Sequence, residues 1–461
     1  MARYGVNFTE GSVVKNHLRF ALPLMATSVL QLFYNAADQV VVGRFSSDGA
    51  LALAAIGATS SLNLLLINLF LGLSVGASII ISRRFGEGNM WELNKTAHSA
   101  IGISVILGIM SMLLSEIFCR DFLIAMGTPS EVLDLSVKYM RVLFIGVPFS
   151  MLYNFGAAIL RSVGDTKRPL YILSATGIVN VVLNLLFVLV FKMGVEGVAI
   201  ATVVANILSA VLVMYILTHS DAPYKITVKN IRLRKIDVVD FIKIGLPAGL
   251  QSIMYNLSNI VLQSSINSFG PNVMAVTTAA GSIESFIYVA LNAFTQSTLT
   301  SIGQNYGAGN KKRMYQTLWS GILLSTVVGI SISALIIIFS SQLLGIYIAN
   351  DPETIKIGIY KLFITTSPYF LLGIMEQVGS FINGVGKVMY AAINSFVGTC
   401  VFRLVWALGI LPLMIPDGNL QGYYVLNLVY PISWVITLCM HIIVAIVIRK
   451  KAFEKMNLRR A

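Results

Sequence analysis

The sequence predicts an all-α polytopic membrane protein of twelve transmembrane helices in two six-helix lobes, and three observations predict it. Mean hydropathy is +0.80 over 461 residues, with 56% apolar and only 11% charged. An average soluble domain is about a quarter charged, so a water-soluble enzyme, a disordered chain and a nucleic-acid binder are excluded together. Second, the apolar residues fall into long runs separated by short polar joints. Third, the two halves of the chain repeat each other.

A helix needs roughly 20 mostly apolar residues to cross the hydrocarbon layer. Twelve runs satisfy this: 18–43, 50–80, 94–117, 136–160, 169–191, 195–217, 241–268, 272–302, 314–340, 357–384, 388–413 and 420–448. The basic residues orient them, because short cytoplasmic loops are enriched in Lys and Arg. The amino end, every second loop and the carboxyl end together hold 25 of the 33 basic residues, so both termini are expected in the cytoplasm. The net charge of +13 is thus a topology signal and not a nucleic-acid patch. The first twenty residues hold no unbroken apolar stretch or small-residue cleavage site, so no signal peptide is expected. The three cysteines and four histidines are scattered, which indicates neither a disulfide framework nor a zinc site.

The repeat appears at an offset near 221. YNAADQVVV from Tyr34 faces YNLSNIVLQ from Tyr255, and RFGEGN from Arg84 faces NYGAGN from Asn305. Pro148 falls opposite Pro368, Gly164 opposite Gly384, Lys167 opposite Lys387, and GVEGVAIA from Gly194 opposite GNLQGYYV from Gly418. Six spans return a half to its starting side, so the halves share one orientation, related by a pseudo-two-fold along the membrane normal. The expected division is an N-terminal lobe 1–217, a basic cytoplasmic linker 218–240 lying against anionic headgroups, and a C-terminal lobe 241–461. Two such bundles suit an alternating-access carrier. Prolines 23, 148, 247 and 368 occupy matching places, each either a static kink or a hinge. The Gly-x-Gly pairs at 86/88 and 307/309 lack a preceding strand, which makes them turns and not nucleotide loops.

A charge at the bilayer centre costs roughly 2.5–3.5 kcal/mol on insertion scales, so it faces a cavity or a partner. The deep ionisable residues are Asp38, Glu284, Glu376 and Arg403. Gln31, Asn35 and Asp38 lie on one stripe of span 1 with Tyr34 beside them. Span 5 adds Thr176, Asn180 and Asn184, and span 6 adds Thr202, Asn206 and Ser209. A carboxylate among amide and hydroxyl oxygens suits Na⁺ or a held proton, while the bland reading is interhelical glue. In the second half Asn259 replaces Asp38, on a neutral stripe with Ser252, Asn256 and Gln263, so ion coupling is expected to centre on the first half. Glu284 and Glu376 are either carriers or structural partners, and Arg403 is expected to neutralise one of them.

These motifs, taken in order over about residues 15–448, resemble the MATE family (multidrug and toxic compound extrusion transporters). The carriers are Leu22-Pro23, YNAADQVVVGR from Tyr34, RFGEGN, RSVGDTK from Arg161, NVVLN from Asn180, GVEGVAIAT and GQNYGAGN from Gly303. The resemblance implies two six-helix lobes and export of organic cations or drugs in exchange for H⁺ or Na⁺. It also implies a first-lobe cation site on Asp38, Asn180, Asn184 and Thr202, with Na⁺ a candidate at Asp38, Asn180 and Thr202. The family pattern has a second carboxylate where this chain has Asn184, and a helix-7 glutamate in its Na⁺-driven branch, whereas span 7 here holds no acidic residue.

The expected function is therefore a secondary antiporter of the cytoplasmic membrane, a monomer among lipids, exporting amphipathic organic cations. Its substrate-cavity candidates are Gln31, Tyr34, Asn35, Asn256, Asn259, Glu284, Glu376 and Arg403. No cofactor beyond the coupling ion and no nucleic-acid partner is expected. A lipid-linked glycan flippase would favour a cavity rich in Arg and Lys. A membrane enzyme would need a catalytic constellation that the sequence does not display. A channel would show flux without coupling.

Overall fold

The computed structural model describes residues 5–45, 49–348, 351–414 and 420–458. Gly418 lies outside them, as do Arg3, Arg459 and Arg460 of the basic termini and the side chains of Arg44, Lys451 and Lys455. No strand occurs among the described residues, which fits a chain whose backbone groups must be satisfied within each span.

The helices of the first half are α1 Val13–Phe45, α2 Gly49–Gly86, α3 Met90–Ala125, α4 Ser130–Ser162, α5 Lys167–Leu185 and α6 Val195–Thr218. Those of the second are α7 Lys235–Asn267, α8 Pro271–Gly307, α9 Lys311–Ile338, α10 Ser340–Tyr347, α11 Pro352–Thr366, α12 Tyr369–Gly384, α13 Val388–Ser395, α14 Phe402–Val405, α15 Leu411–Met414, α16 Leu420–Asn427 and α17 Val429–Leu458. Among the described residues, ten helical stretches are long and apolar enough to cross a membrane, with α11–α12, α13–α15 and α16–α17 each one stretch. The continuous helices α2 and α7 stand at the second and seventh predicted spans, which completes the twelve. The short helix α10 was not expected.

The prolines behave unequally. Pro23, Pro148 and Pro247 lie inside unbroken helices, whereas Pro368 separates α11 from α12. The fifth span passes into a π-helical segment at Leu186–Val190 and the eleventh contains two, at Phe396–Val401 and Trp406–Ile410. Leu186 and Trp406 are 220 residues apart, the same separation as Lys167 and Lys387, so this π segment belongs to the repeat.

The joints repeat as well. Asn89 caps α3 by accepting from the Glu92 N–H, and Asn310 caps α9 by accepting from the Arg313 N–H, each at 3.1 Å. Each follows a left-handed glycine, Gly88 or Gly309. Both Gly-x-Gly pairs are therefore helix–helix turns. At the ends of α4 and α12, Gly164 and Gly386 take φ of 89° and 77°, where a side chain would be strained. The next residue's N–H closes each helix, from Asp165 to the Leu160 carbonyl and from Lys387 to the Ile382 carbonyl. Gly164 thus corresponds to Gly386, two residues beyond the expected Gly384.

By contacts the chain divides into two compact units, Met1–Asn7 with Ala26–Leu246, and Phe8–Met25 with Pro247–Ala461. The first has a core around Ala77, Ile81, Phe155, Leu160, Val213 and Phe241. Its basic segment does not lie free: Asn94 donates to the Pro223 and Lys225 carbonyls, Ser99 to that of Arg232, and His98 accepts from the Thr227 N–H. Arg234 closes the seam on Glu92 and Asp237, both at 2.7 Å, and these carboxylates hold its guanidinium above the usual arginine range. The segment expected to lie against headgroups is stitched to the start of α3.

The second unit is strapped by the chain's amino end. Phe8 is 1% exposed, its N–H donates to Gln304 and its carbonyl accepts from Asn305. Arg313 donates to the carbonyls of Phe8, Glu10 and Gly11, and the His17 ring lies 2.9 Å from the Ser297 hydroxyl.

Candidate functional site

The first unit brings Asp38, Asn180, Asn184 and Thr202 together. Asn180 and Asn184 share a face of α5 because they are four residues apart. Asn184 donates its amide to Asp38 at 2.5 Å and to the Asn180 side-chain oxygen at 3.3 Å. Asn180 in turn donates to the Thr202 hydroxyl of α6 at 3.5 Å. The result is one polar chain linking α1, α5 and α6, with Asn184 fully buried and Asp38 half-buried. A buried amide oxygen without a hydrogen bond is expensive, and Asn184 Oδ1 is one. That oxygen, the Asp38 carboxylate and the Thr202 hydroxyl are the hard donors that a small monovalent cation accepts.

One turn away, the Tyr34 hydroxyl donates to the Ser174 carbonyl at 3.2 Å, and its ring packs against Gly177. A Cβ at Gly177 would stand 1.9 Å from Tyr34 Cε2, so only glycine admits this approach of α1 to α5. Thr176 and Ser209 join α5 to α6 below it, 2.9 Å apart. Gln31 and Asn35 are exposed and stand outside the polar chain. Tyr139 of α4 was not anticipated. It packs beside Val41, Val188 and Val198, and its phenol is near enough to Asp38 to feel the carboxylate's charge. Nothing in its sequence neighbourhood, a span without polar periodicity at that point, would have marked it.

In the second unit the carboxylates are not arranged as expected. Glu284 of α8 pairs with Lys361 of α11 at 2.8 Å and accepts from the Thr365 hydroxyl. Lys361, 3% exposed, is a further deep cation that the sequence analysis did not include among the deep ionisable residues. Arg403 neutralises neither carboxylate, contrary to expectation. It is 3% exposed, and its guanidinium donates to Asn259 at 3.0 Å and Ser433 at 3.2 Å, with its carbon 4.8 Å from the Tyr430 ring centre. Glu376 of α12, half-buried, faces the Tyr255 and Tyr288 phenols. Asn256 donates to the Ser252 carbonyl of its own helix, so of that neutral stripe Asn259 is the member that reaches across to another helix through Arg403. A cavity of about 730 Å³ opens elsewhere in this unit, lined by Ser12, Val13, Arg313, Tyr315 and Trp319, and none of the predicted site residues borders it.

Twelve spans in two similar six-helix sets define a polytopic membrane protein built on a doubled plan. The MatE family model matches residues 23–186 and again 247–408, once for each half, and the chain belongs to that family. It is 30% identical over 396 residues to the probable multidrug resistance protein YoeA of Bacillus subtilis (strain 168), covering 84% of each chain. It is 27% identical to the probable multidrug resistance protein YpnP of the same organism, over 86% of this chain and 88% of that one. In fold it resembles an outward-facing multidrug resistance MATE family transporter of the MOP superfamily, with a TM-score of 0.88, 22% identity, and coverage of 99% of this chain and 100% of the other.

Proposed function

We propose that this protein is an ion-coupled antiporter of the cytoplasmic membrane, with both termini inside, that exports amphipathic organic cations in exchange for H⁺ or Na⁺. The observation that carries the reading is the Asp38 carboxylate bound to Asn184, whose own buried oxygen lacks a partner. An entering cation would bind Asp38 and draw on the oxygens of Asn184, Asn180 and Thr202. The amide now shared between Asp38 and Asn180 must then turn, which breaks the chain from α1 to α6. Substrate affinity follows from that rewiring, since an ion shifts an equilibrium only by its differential affinity for the two states. The membrane potential supplies roughly 2.3 kcal/mol per charge for each 100 mV. The multidrug-resistance relatives support small-molecule export over glycan flipping.

The test is ethidium transport in proteoliposomes under an imposed pH or Na⁺ gradient. Asp38→Asn should abolish the gradient-driven component while leaving ethidium binding measurable. Undiminished gradient-driven transport would sink the reading.

A further inference from the structure

In both halves a polar link joins the first, fifth and sixth spans, with the first-span member in the repeat position and different residues on the other two. In the first unit the chain runs from Asp38 on the first helix, through Asn184 and Asn180 on the fifth, to Thr202 on the sixth. In the second it runs from Asn259 on α7, through Arg403 on α14, to Ser433 on α17, which are the first, fifth and sixth spans of that half. Asn259 lies 221 residues after Asp38, and Arg403 lies one residue from the repeat position of Asn184, counted at the 220 that separates the shared π segments. Ser433 lies 224 residues after Ser209, the spacing of Gly418 from Gly194, and each serine bonds to the fifth span of its half.

The groups facing the guanidinium are Tyr255, Tyr369, Tyr430 and Cys400, none of which is anionic at neutral pH. Of the second unit's deep carboxylates, Glu284 is paired with Lys361, and Glu376 stands on Tyr255, the ring that separates it from the guanidinium. Among the described residues Arg403 has no carboxylate within ion-pair distance. A buried guanidinium stays charged. It is therefore a permanent positive charge held against the acceptor that replaces Asp38.

We infer that Arg403 is a tethered cation in the second half's copy of the coupling site, that it makes this copy incapable of ion exchange, and that it thereby fixes the number of ions exchanged per drug molecule. The inference rests on the reading of Asp38 as the coupling carboxylate. A mobile ion at Asp38 can leave; the Arg403 charge cannot. Neutral Asn259 then follows from the same logic, because the guanidinium supplies the charge and needs only an acceptor. A purely structural Arg403 would matter for stability and leave the ion count untouched.

The experiment counts protons released and sodium displaced when ethidium is added to detergent-purified protein. Asp38→Asn comes first. Loss of release upholds the coupling site, and unchanged release removes that reading independently of Arg403. With Asp38 intact, Asn259→Asp/Arg403→Asn recreates the carboxylate–amide pair and should roughly double the ions released per ethidium bound. Asn259→Asp alone should give the wild-type count, since the guanidinium neutralises the new acid. So should Asn259→Asp/Arg403→Lys, which keeps the charge and stands in if the asparagine variant does not fold. A wild-type count from folded Asn259→Asp/Arg403→Asn overturns the inference, as does a doubled count from either variant that keeps the cation.

Discussion

Asn184 places its amide nitrogen 2.5 Å from one Asp38 carboxylate oxygen while leaving its own oxygen buried and unbonded. An aspartate in its place would add one negative charge beside Asp38. Asn184→Asp should therefore tighten Na⁺ binding by about tenfold or more, since affinity for hard cations follows ligand charge. Equilibrium binding of radioactive sodium to the purified protein checks this, and unchanged affinity would remove Asn184 from the ligand set.

The Lys361–Glu284 pair predicts a stability effect separate from transport. Lys361→Ala leaves a carboxylate in the core of the second unit with only the Thr365 hydroxyl, a loss of about 3–5 kcal/mol. The double variant Lys361→Met/Glu284→Gln removes both charges and should recover to within about 1–2 kcal/mol of wild type. Thermal unfolding in detergent reads both. Equal losses in the single and double variants would mean that the lysine acts by packing and not by charge.

Gly177 is the contact that seats Tyr34. Gly177→Ala forces the ring off α5 and breaks the bond to the Ser174 carbonyl, at an overpacking cost of about 1–3 kcal/mol. Ethidium transport should fall while Tyr34→Ala/Gly177→Ala, which removes the clash, remains folded. A single variant as stable and active as wild type would show that α1 and α5 can separate freely.

The amino-terminal strap is testable by hydrogen exchange. Arg313 serves three carbonyls, and a bond to a charged group contributes about 1.5–3 kcal/mol. Arg313→Ala should raise amide exchange around Phe8–Asn16 by roughly tenfold or more, with the remainder of α9 unchanged. Protection equal to wild type would assign the strap's order to burial of Phe8 alone.

Much of this was legible in the sequence, for identifiable reasons. Long apolar runs mark spans, and Gly-x-Gly-Asn marks a turn followed by a helix cap, so the twelve spans and the paired joints were readable. The α5 face was readable because Asn180 and Asn184 are spaced by four residues, whereas their meeting with Asp38 and Thr202 was implied by the family resemblance and not by spacing. What stayed hidden was pairing at long sequence separation. Lys361 gave no sign that it reaches Glu284, and Arg403 gave no sign that it prefers Asn259 and Ser433 to a carboxylate, because sequence reports charge and not distance. The Phe8 strap was invisible for the same reason, its partners Gln304 and Arg313 lying some 300 residues away. Gly386 was missed because the two loops differ in length, so one fixed offset cannot align both helix ends.

The π segments at Leu186–Val190 and Trp406–Ile410 carry a historical implication. Such a widened turn arises when one residue is inserted into a helix. A single insertion into an ancestral six-helix chain, made before that chain was doubled, accounts for both, whereas separate events would have had to strike the same turn twice. The widening at Phe396–Val401 has no counterpart among the described residues of the first half, although the separation of 220 holds on either side of it. It lies just upstream of Arg403, where the two copies differ most plainly in charge.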